Sequence, residues 1–482
     1  MKDKFIQVIK NKWLKSAILT LLLIAIIICA YLAINYAVEK ANFADIDMTK
    51  EKIYSISQET KDKLRNLEND VTISIYNMYD YYKDFAYQYA RLNDHITVEE
   101  VENLTSKTDW KTDYGVSDTS SFIVISTANR EKILYEYDLY TYDYTTYEEI
   151  DITEEAITNG ILDVVTDVKP KIYFLTGHNL YSTSYLQYLQ NAIIEEANEV
   201  DDLDLMTTGE VPEDCNVLVI TALKEDIKEL EKDSLIKYIQ KGGKILLLLD
   251  ANLNNVKLTN FQKVLDEYGV SVSNGIILEG DTSKMVSGAP NFVIATMNSS
   301  SSITKNINMD MNVCLINAGK LTIDSSEELE KKNVTSEILA TVSDKAFYRT
   351  DLQSSSQSKI DSDEDAGGSI VAAMLTKEID ENTSSKLIVF ANTAFATNKQ
   401  IQVSSQYYMY AMDFYNNKDI LLNSISYLTE REENITIRKN LEAVNYDVTE
   451  FQNRIVLGII FAVPVFIIII GIVVWVMRRK KK

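Results

Sequence analysis

Three short apolar runs, at residues 172–175, 217–220 and 245–249, constrain this chain more than any other feature. Each is rich in β-branched or leucine side chains, is bounded by turn residues, and has the length of a buried strand. Helical patterns at 183–196 and 225–240 separate them, and Gly242-Gly243 stands where a helix C-terminal glycine is expected. Alternating strands and helices of this kind predict an α/β fold around a central open, mostly parallel sheet. A helix at 261–268 follows. A further strand at 386–391 and a helix at 419–429 read as a return of the chain to that sheet or as a half-domain beside it.

Upstream, Ser57 is a suitable N-cap for a helix over 58–67. Strands at 71–76, 96–101, 121–126 and 132–135, with a helix at 84–92 between the first two, predict a small N-terminal α/β domain over 38–151. Strand, helix, strand and then a hairpin-like pair suit a thioredoxin-like arrangement, although the chain has no Cys-x-x-Cys. The central and C-terminal α/β body is expected over 152–453. Within it, 282–310 is rich in Ser, Asn, Met and Gly with little periodicity, and 353–368 has the composition of a loop.

The charge is uneven. Against 71 acidic residues stand 48 basic ones, a net charge of −23, and every acid except Asp3 lies between 38 and 453. Nucleic acid is therefore excluded as a partner, since phosphate binding requires a basic face. Residues 17–37 and 455–477 are uncharged apolar runs long enough to cross a bilayer core of roughly 30 Å. For the first, an anchor is expected rather than a cleaved signal, because the apolar run is long and no small-x-small site follows. Cys29 follows Ile28 rather than the small residue of a lipoprotein signal. Lys2, Lys4, Lys10, Lys12 and Lys15 lie in the tail 1–16, and Arg478, Arg479, Lys480, Lys481 and Lys482 form the tail 478–482. Both tails are thus expected in the cytoplasm, with the acidic body outside the cell membrane. Cys215 and Cys314, the only cysteines of that body, leave one disulfide open and give no disulfide framework.

Catalytic signals are sparse. His95 and His178 are the only histidines, no cysteine pair has zinc spacing, and neither a triphosphate-binding loop nor a Gly-x-Ser-x-Gly elbow is present. No metal and no cofactor is expected. Ligands of open α/β sheets sit beyond the carboxyl ends of the strands, where this sequence places Thr176, Gly177, His178 and Asn179, then Thr221, then Asp250 and Asn252. A His and an Asp from different strand ends suit ligand binding or acid-base work. The alternative is a tight structural turn in which His178 packs locally and Asp250 caps the segment after it. Tyrosines at 76–89 and 135–147, interleaved with acids, suit either a sugar-stacking surface or ordinary half-exposed strands.

Six segments, in this order, resemble the GldG-like auxiliary components of ABC transporters, a family named from gliding motility. They are DMTKEKIYSISQET (47–60), VTISI (71–75), PKIYFLTGH (170–178), VPEDCNVLVI (211–220), GGKILLLLD (242–250) and NSISYL (423–428). The resemblance implies a membrane-tethered ectodomain with an α/β domain distantly like the glutamine amidotransferase fold, placed beside an ABC permease and an ABC ATPase. It does not imply catalysis. The chain departs from the family pattern at the strand ends. Gly-His-Gly-Glu is here Gly177-His-Asn-Leu180, Gly-Pro is Ala222-Leu223, and the proline after the strand-end Asp is Ala251. The function expected is a non-catalytic accessory subunit of an ABC-type transport system. An extracytoplasmic ligand or glycan receptor is the alternative, and a hydrolase on an amidotransferase-like sheet is disfavoured for want of a Ser or Cys nucleophile.

Overall fold

The computed structural model describes residues 55–143, 148–166, 168–251, 256–286, 288–304, 307, 312–354, 356–404 and 407–430, with isolated helical positions between 25 and 32 and between 454 and 479. The chain forms two compact units, Ile56–Val444, and Met1–Ser55 with Asn445–Lys482. Among the described residues no helix is long and apolar enough to cross a membrane. The two apolar runs of the sequence, 17–37 and 455–477, fall almost entirely outside those residues, as do both basic tails.

Within 56–444, helix α1 (Gln58–Leu64) starts as the sequence indicates: the Ser57 hydroxyl accepts from Thr60 N. A four-stranded sheet follows, built from β1 (Val71–Tyr76), β2 (Ile96–Val101), β3 (Phe122–Ser126) and β4 (Glu131–Tyr135) in the order β2-β1-β3-β4. β1 and β2 are parallel across helix α2 (Asp80–Leu92), while β3 and β4 form an antiparallel pair. This is the strand, helix, strand and hairpin order read from the sequence. Helix α3 (Thr153–Val165) completes this layer, burying Ile157, Ile161 and Val164 with Ile73, Ile75, Ile123 and Ile125. Its Gly160 permits the approach, because a Cβ there would stand 2.6 Å from Ile125 Cδ1. The layer thus runs on to Val165, past the 151 boundary expected from sequence.

The central sheet has nine strands: β5 (Lys171–Leu175), β6 (Glu199–Leu203), β7 (Cys215–Thr221), β8 (Lys244–Leu248), β9 (Phe292–Met297), β10 (Asn312–Ile316), β11 (Val334–Thr341), β12 (Ile370–Glu378) and β13 (Ser384–Phe390), in the order β10-β9-β11-β12-β13-β8-β7-β5-β6. From β13 to β6 every pairing is parallel. From β13 to β10 every pairing is antiparallel. The expectation of a mostly parallel sheet is corrected accordingly: the sheet is mixed, and the strand 384–390 does return to its centre. The stretch 282–310, read as aperiodic, supplies β9. Ala372, Ala373 and Met374, good helix formers by propensity, are strand residues because β12 is held between β11 and β13.

Side chains of the parallel half alternate between two cores. Phe174, Val219, Leu248 and Phe390 face helices α4 (Gln187–Glu195) and α7 (Asn417–Leu428). Tyr173, Leu218, Leu247 and Val389 face α5 (Glu229–Gln240) and α6 (Thr259–Asp266). Helices on both faces are what a parallel sheet with apolar strands requires, and full burial of each large side chain contributes roughly 1.5–3 kcal/mol. Helix α5 begins at Glu229 rather than at 225 because Asp226 is used elsewhere. Its carboxylate accepts from Asn260 N at 2.8 Å and Phe261 N at 3.0 Å, satisfying the first turn of α6. Gly242 takes φ +84°, the left-handed conformation anticipated after α5.

Candidate functional site

The chain steps from β5 outward to β6 and then crosses back past β5 to β7, so the topological switch lies between β5 and β7. In such sheets the crevice at the carboxyl side of the switch is the usual ligand site. Here it is occupied by the chain itself. Leu180 N donates to Ala222 O at 2.7 Å and Lys224 N to His178 O at 2.8 Å, so the loops after β5 and β7 pair like a short antiparallel ladder. Asn179 sits inside that closure, donating from Nδ2 to Leu175 O at 2.7 Å and to Thr221 Oγ1 at 2.9 Å. Thr176 is tied sideways, its backbone N and its hydroxyl both donating to Leu203 O. Gly177 makes the bend with φ +102°, a conformation glycine adopts without a steric penalty.

His178 is buried beneath this closure. Its Nε2 lies 2.9 Å from Glu231 Oε2, and Glu231, only 1% exposed, also accepts from Lys228 N at 2.7 Å. The Nδ1 atom has no hydrogen-bond partner among the described residues and stands 3.6 Å from Glu225 Oε1. The acid missing next to His178 in the sequence is thus supplied from α5, 53 positions along the chain. The pair fastens the turn after β5 to the first turn of α5. No thiol accompanies it: β5 and β7 are parallel, and Cys215 opens β7 at the opposite edge of the sheet from His178. Burial pushes the Cys215 thiol up to about 11 and the Cys314 thiol up to about 12. Both are free, so the possible disulfide between them does not form.

Asp250, at the end of β8, belongs to a different assembly. Its Oδ1 accepts from Thr393 N at 2.7 Å and its Oδ2 from Tyr181 OH at 2.8 Å. Thr393 in turn donates to Leu248 O at 2.6 Å and accepts from Ala222 N at 3.2 Å, which locks the ends of β7, β8 and β13 together. Burial pushes the Asp250 carboxyl above its ordinary value, opposed by the Thr393 N–H and the Tyr181 hydroxyl. The Tyr181 hydroxyl is itself raised, first by burial and then by the Asp250 charge. Asn252 lies outside the described residues.

Beside Asp250 a cleft of about 480 Å³ opens along the carboxyl ends of β7, β8 and β13, one strand away from the closed crevice. Leu249, Phe261, Leu265, Val272 and Ile316 form apolar lining, and Lys224, Lys257 and Lys399 reach it from three separate segments. Of the six described residues among the seven singled out from sequence, Asp250 alone lines this cleft. Thr176, Gly177, His178, Asn179 and Thr221 build the closure instead. Sequence reasoning missed Tyr181, Glu231 and Thr393. Among the described residues no group of three or more His, Cys, Asp or Glu side chains is placed to hold a metal ion. The tyrosines of the first patch divide: Tyr76 and Tyr89 are buried in the small domain, whereas Tyr79 is exposed. In the second patch Tyr137 is exposed and stacks on Tyr135 with centroids 5.2 Å apart.

Residues 169–424 match the family of auxiliary proteins described as an ABC-type uncharacterized transport system. No curated protein matches the chain. Among solved structures, the mmIFT52 N-terminal domain is 15% identical, with a TM-score of 0.38 over 54% of this chain and 97% of that one. A ThuA-like protein from Parabacteroides merdae is 11% identical, with a TM-score of 0.36 over 58% and 96%. A glutamine amidotransferase from Thermotoga maritima is 9% identical, with a TM-score of 0.28 over 55% and 99%. Likenesses this distant carry nothing about activity.

Proposed function

The chain belongs to the family of auxiliary components of ABC-type transport systems, and on that premise we propose that it is a non-catalytic accessory subunit of the GldG-like kind, working beside an ABC permease and an ABC ATPase. The family match over 169–424 carries the reading. A closed switch-point crevice supports the non-catalytic part, because the residues that would face a substrate there are spent on bonding two loops together. His178 has no thiol beside it and its Nε2 is taken by the buried Glu231, and Asp250 is committed to Tyr181 and Thr393. A hydrolase would need a nucleophile within hydrogen-bond reach of a base.

In this reading residues 17–37 and 455–477 anchor the chain in the cell membrane and hold 38–453 outside, with both basic tails inside. Two spans cannot enclose a transport pathway, and the sequence has no triphosphate-binding loop, so motive power must come from partners. Gly458, Pro464 and Gly471 in the second run are small or helix-bending residues that allow a neighbouring helix to approach. Two experiments test the proposal. In intact cells an impermeant thiol reagent should label Gln353→Cys and spare Lys481→Cys; the reverse pattern would overturn the orientation. The purified full chain alone should hydrolyse neither ATP nor amide or glycoside substrates, and turnover of any of them that is lost on changing His178 or Asp250 would overturn the accessory role.

A further inference from the structure

We propose that the cleft beside Asp250 is a binding site for a small organic anion, a phosphate, sulfonate or carboxylate carried on an apolar body. Three observations converge on that chemistry. The first is charge. Lys224 follows β7, Lys257 precedes α6 and Lys399 lies just before the strand Gln400–Ser404, so segments far apart in sequence bring three ammonium groups to one opening. Among the described residues none of the three has a carboxylate within ion-pair distance. Some lysines of the same unit are paired, as Lys332 is with Asp324 at 2.8 Å, Lys345 with Asp281 at 2.9 Å and Lys377 with Glu267 at 3.2 Å, whereas others, such as Lys263 and Lys284, stand singly; what sets these three apart is that they meet at one concavity. In a chain with 71 acids against 48 bases, three unpaired lysines around one concavity make a local positive field that the acidic surroundings leave in place.

The second observation is the state of Asp250, the only acid among the described residues that line the cleft. Both oxygens of Asp250 accept internal hydrogen bonds, from Thr393 N and from Tyr181 OH, and what charge reaches the cleft acts on Lys399, so Asp250 is not free to hold a cationic ligand. A cationic ligand would meet three lysines and no free carboxylate. The N-terminus of α6 is likewise spent, since Asp226 already accepts from its first free N–H groups. The lysines are therefore the groups left to hold an anion.

The third is shape. Leu249, Phe261, Leu265, Val272 and Ile316 bury an aliphatic or aromatic body, while Thr259, Gln262, Asn274 and Asn317 leave polar groups for the ligand's edge. At about 480 Å³ the cleft falls within the range of small-molecule sites. The inference stands on the cleft alone and holds whether or not the chain accompanies a transporter.

The test uses the full chain in lipid nanodiscs, with empty nanodiscs as the blank, titrated calorimetrically with 1-naphthyl phosphate, with neutral 1-naphthylmethanol and with inorganic phosphate. Naphthyl phosphate should bind roughly tenfold or more tightly than either comparison compound, and its affinity should fall as sodium chloride is raised. The combined Lys224→Gln, Lys257→Gln and Lys399→Gln protein should lose about tenfold in affinity, as expected for three exposed ion pairs. Because these side chains are exposed, its thermal unfolding should match that of the parent, which separates lost binding from lost folding. Absent binding, equal binding of the neutral alcohol, equal binding of inorganic phosphate, or an affinity indifferent to the three substitutions would each overturn the proposal.

Discussion

Asn179 donates from its side-chain amide to the hydroxyl of Thr221, 2.9 Å away, and that bond joins the end of β5 to the end of β7 across the switch point of the sheet. The same amide donates to Leu175 O. Asn179→Ala removes both bonds and deprives the carbonyl of the buried Leu175 of that donor. The urea midpoint of the full chain should fall by an amount equivalent to about 1–3 kcal/mol, with the slope of the transition unchanged. A shift below about 0.5 kcal/mol, the size of an ordinary surface substitution, would mean that the amide does not hold the closure.

His178→Ala should be more damaging than a surface change yet leave a folded protein. It strips Glu231 of its imidazole partner while Lys228 N still bonds the carboxylate. A loss of about 2–4 kcal/mol is expected from exposing this imbalance in a buried site. In a double-mutant cycle with Glu231→Gln the two losses should fall well short of additivity. Additive losses would show that the pair is not the source of the stability.

The loop 351–363 is closed by a buried ion pair. Arg349 reaches Asp363 Oδ2 at 2.6 Å, and also donates to Ser356 O and Ser358 O. The Arg349 guanidinium holds the Asp363 carboxyl below the usual carboxylate range. A depressed carboxylate stabilises fully above its unfolded value, near 3.9, and the contribution is lost as pH falls through the lower folded value. Cleavage of this loop by an acid-active protease should therefore stay slow at mildly acidic pH and accelerate only well below pH ~4. Asp363→Ala, which abandons a buried guanidinium, should cost about 3–5 kcal/mol and make the loop cleavable at neutral pH. Equal cleavage of parent and variant would contradict this.

Cys215 and Cys314 should react slowly. A thiol pushed up to about 11 or about 12 is almost wholly protonated at neutral pH, and only the thiolate is a nucleophile. With Cys29→Ser as the parent, a chromogenic disulfide reagent should titrate almost no thiol in the native protein and both thiols in denaturant. Prompt native reaction, or a single band shifted under non-reducing conditions, would refute the free, protonated state of the two.

Much of the parallel half was legible because its strands are short, apolar and flanked by turn residues. In the small N-terminal sheet, β1 and β2 also fall at the limits read from sequence. The antiparallel half was not. β9 lies in a Ser- and Asn-rich stretch and alternates only weakly, and β12 carries Ala372, Ala373 and Met374, which local preference assigns elsewhere. Both are strands because neighbours on each side satisfy their backbone groups. The candidate site divides in the same way. The edge of the sheet follows from strand direction, and Asp250 was found by that rule. The closure of one crevice and the opening of the next depend on backbone bonds such as Leu180 N to Ala222 O, which leave no side-chain signature. The Glu231 partner of His178 sits on a helix where nothing local distinguishes it from the other acids of α5.

Association with a transporter is the claim on which the functional reading turns. Gentle solubilisation of the native membrane, followed by capture of the tagged full chain and identification of what accompanies it, measures that association directly. A multi-span permease and an ABC ATPase should be recovered with it, and deletion of 455–482 should weaken their recovery. Repeated recovery of the intact chain alone, under conditions that keep the permease and ATPase bound to each other, would contradict the accessory-subunit account.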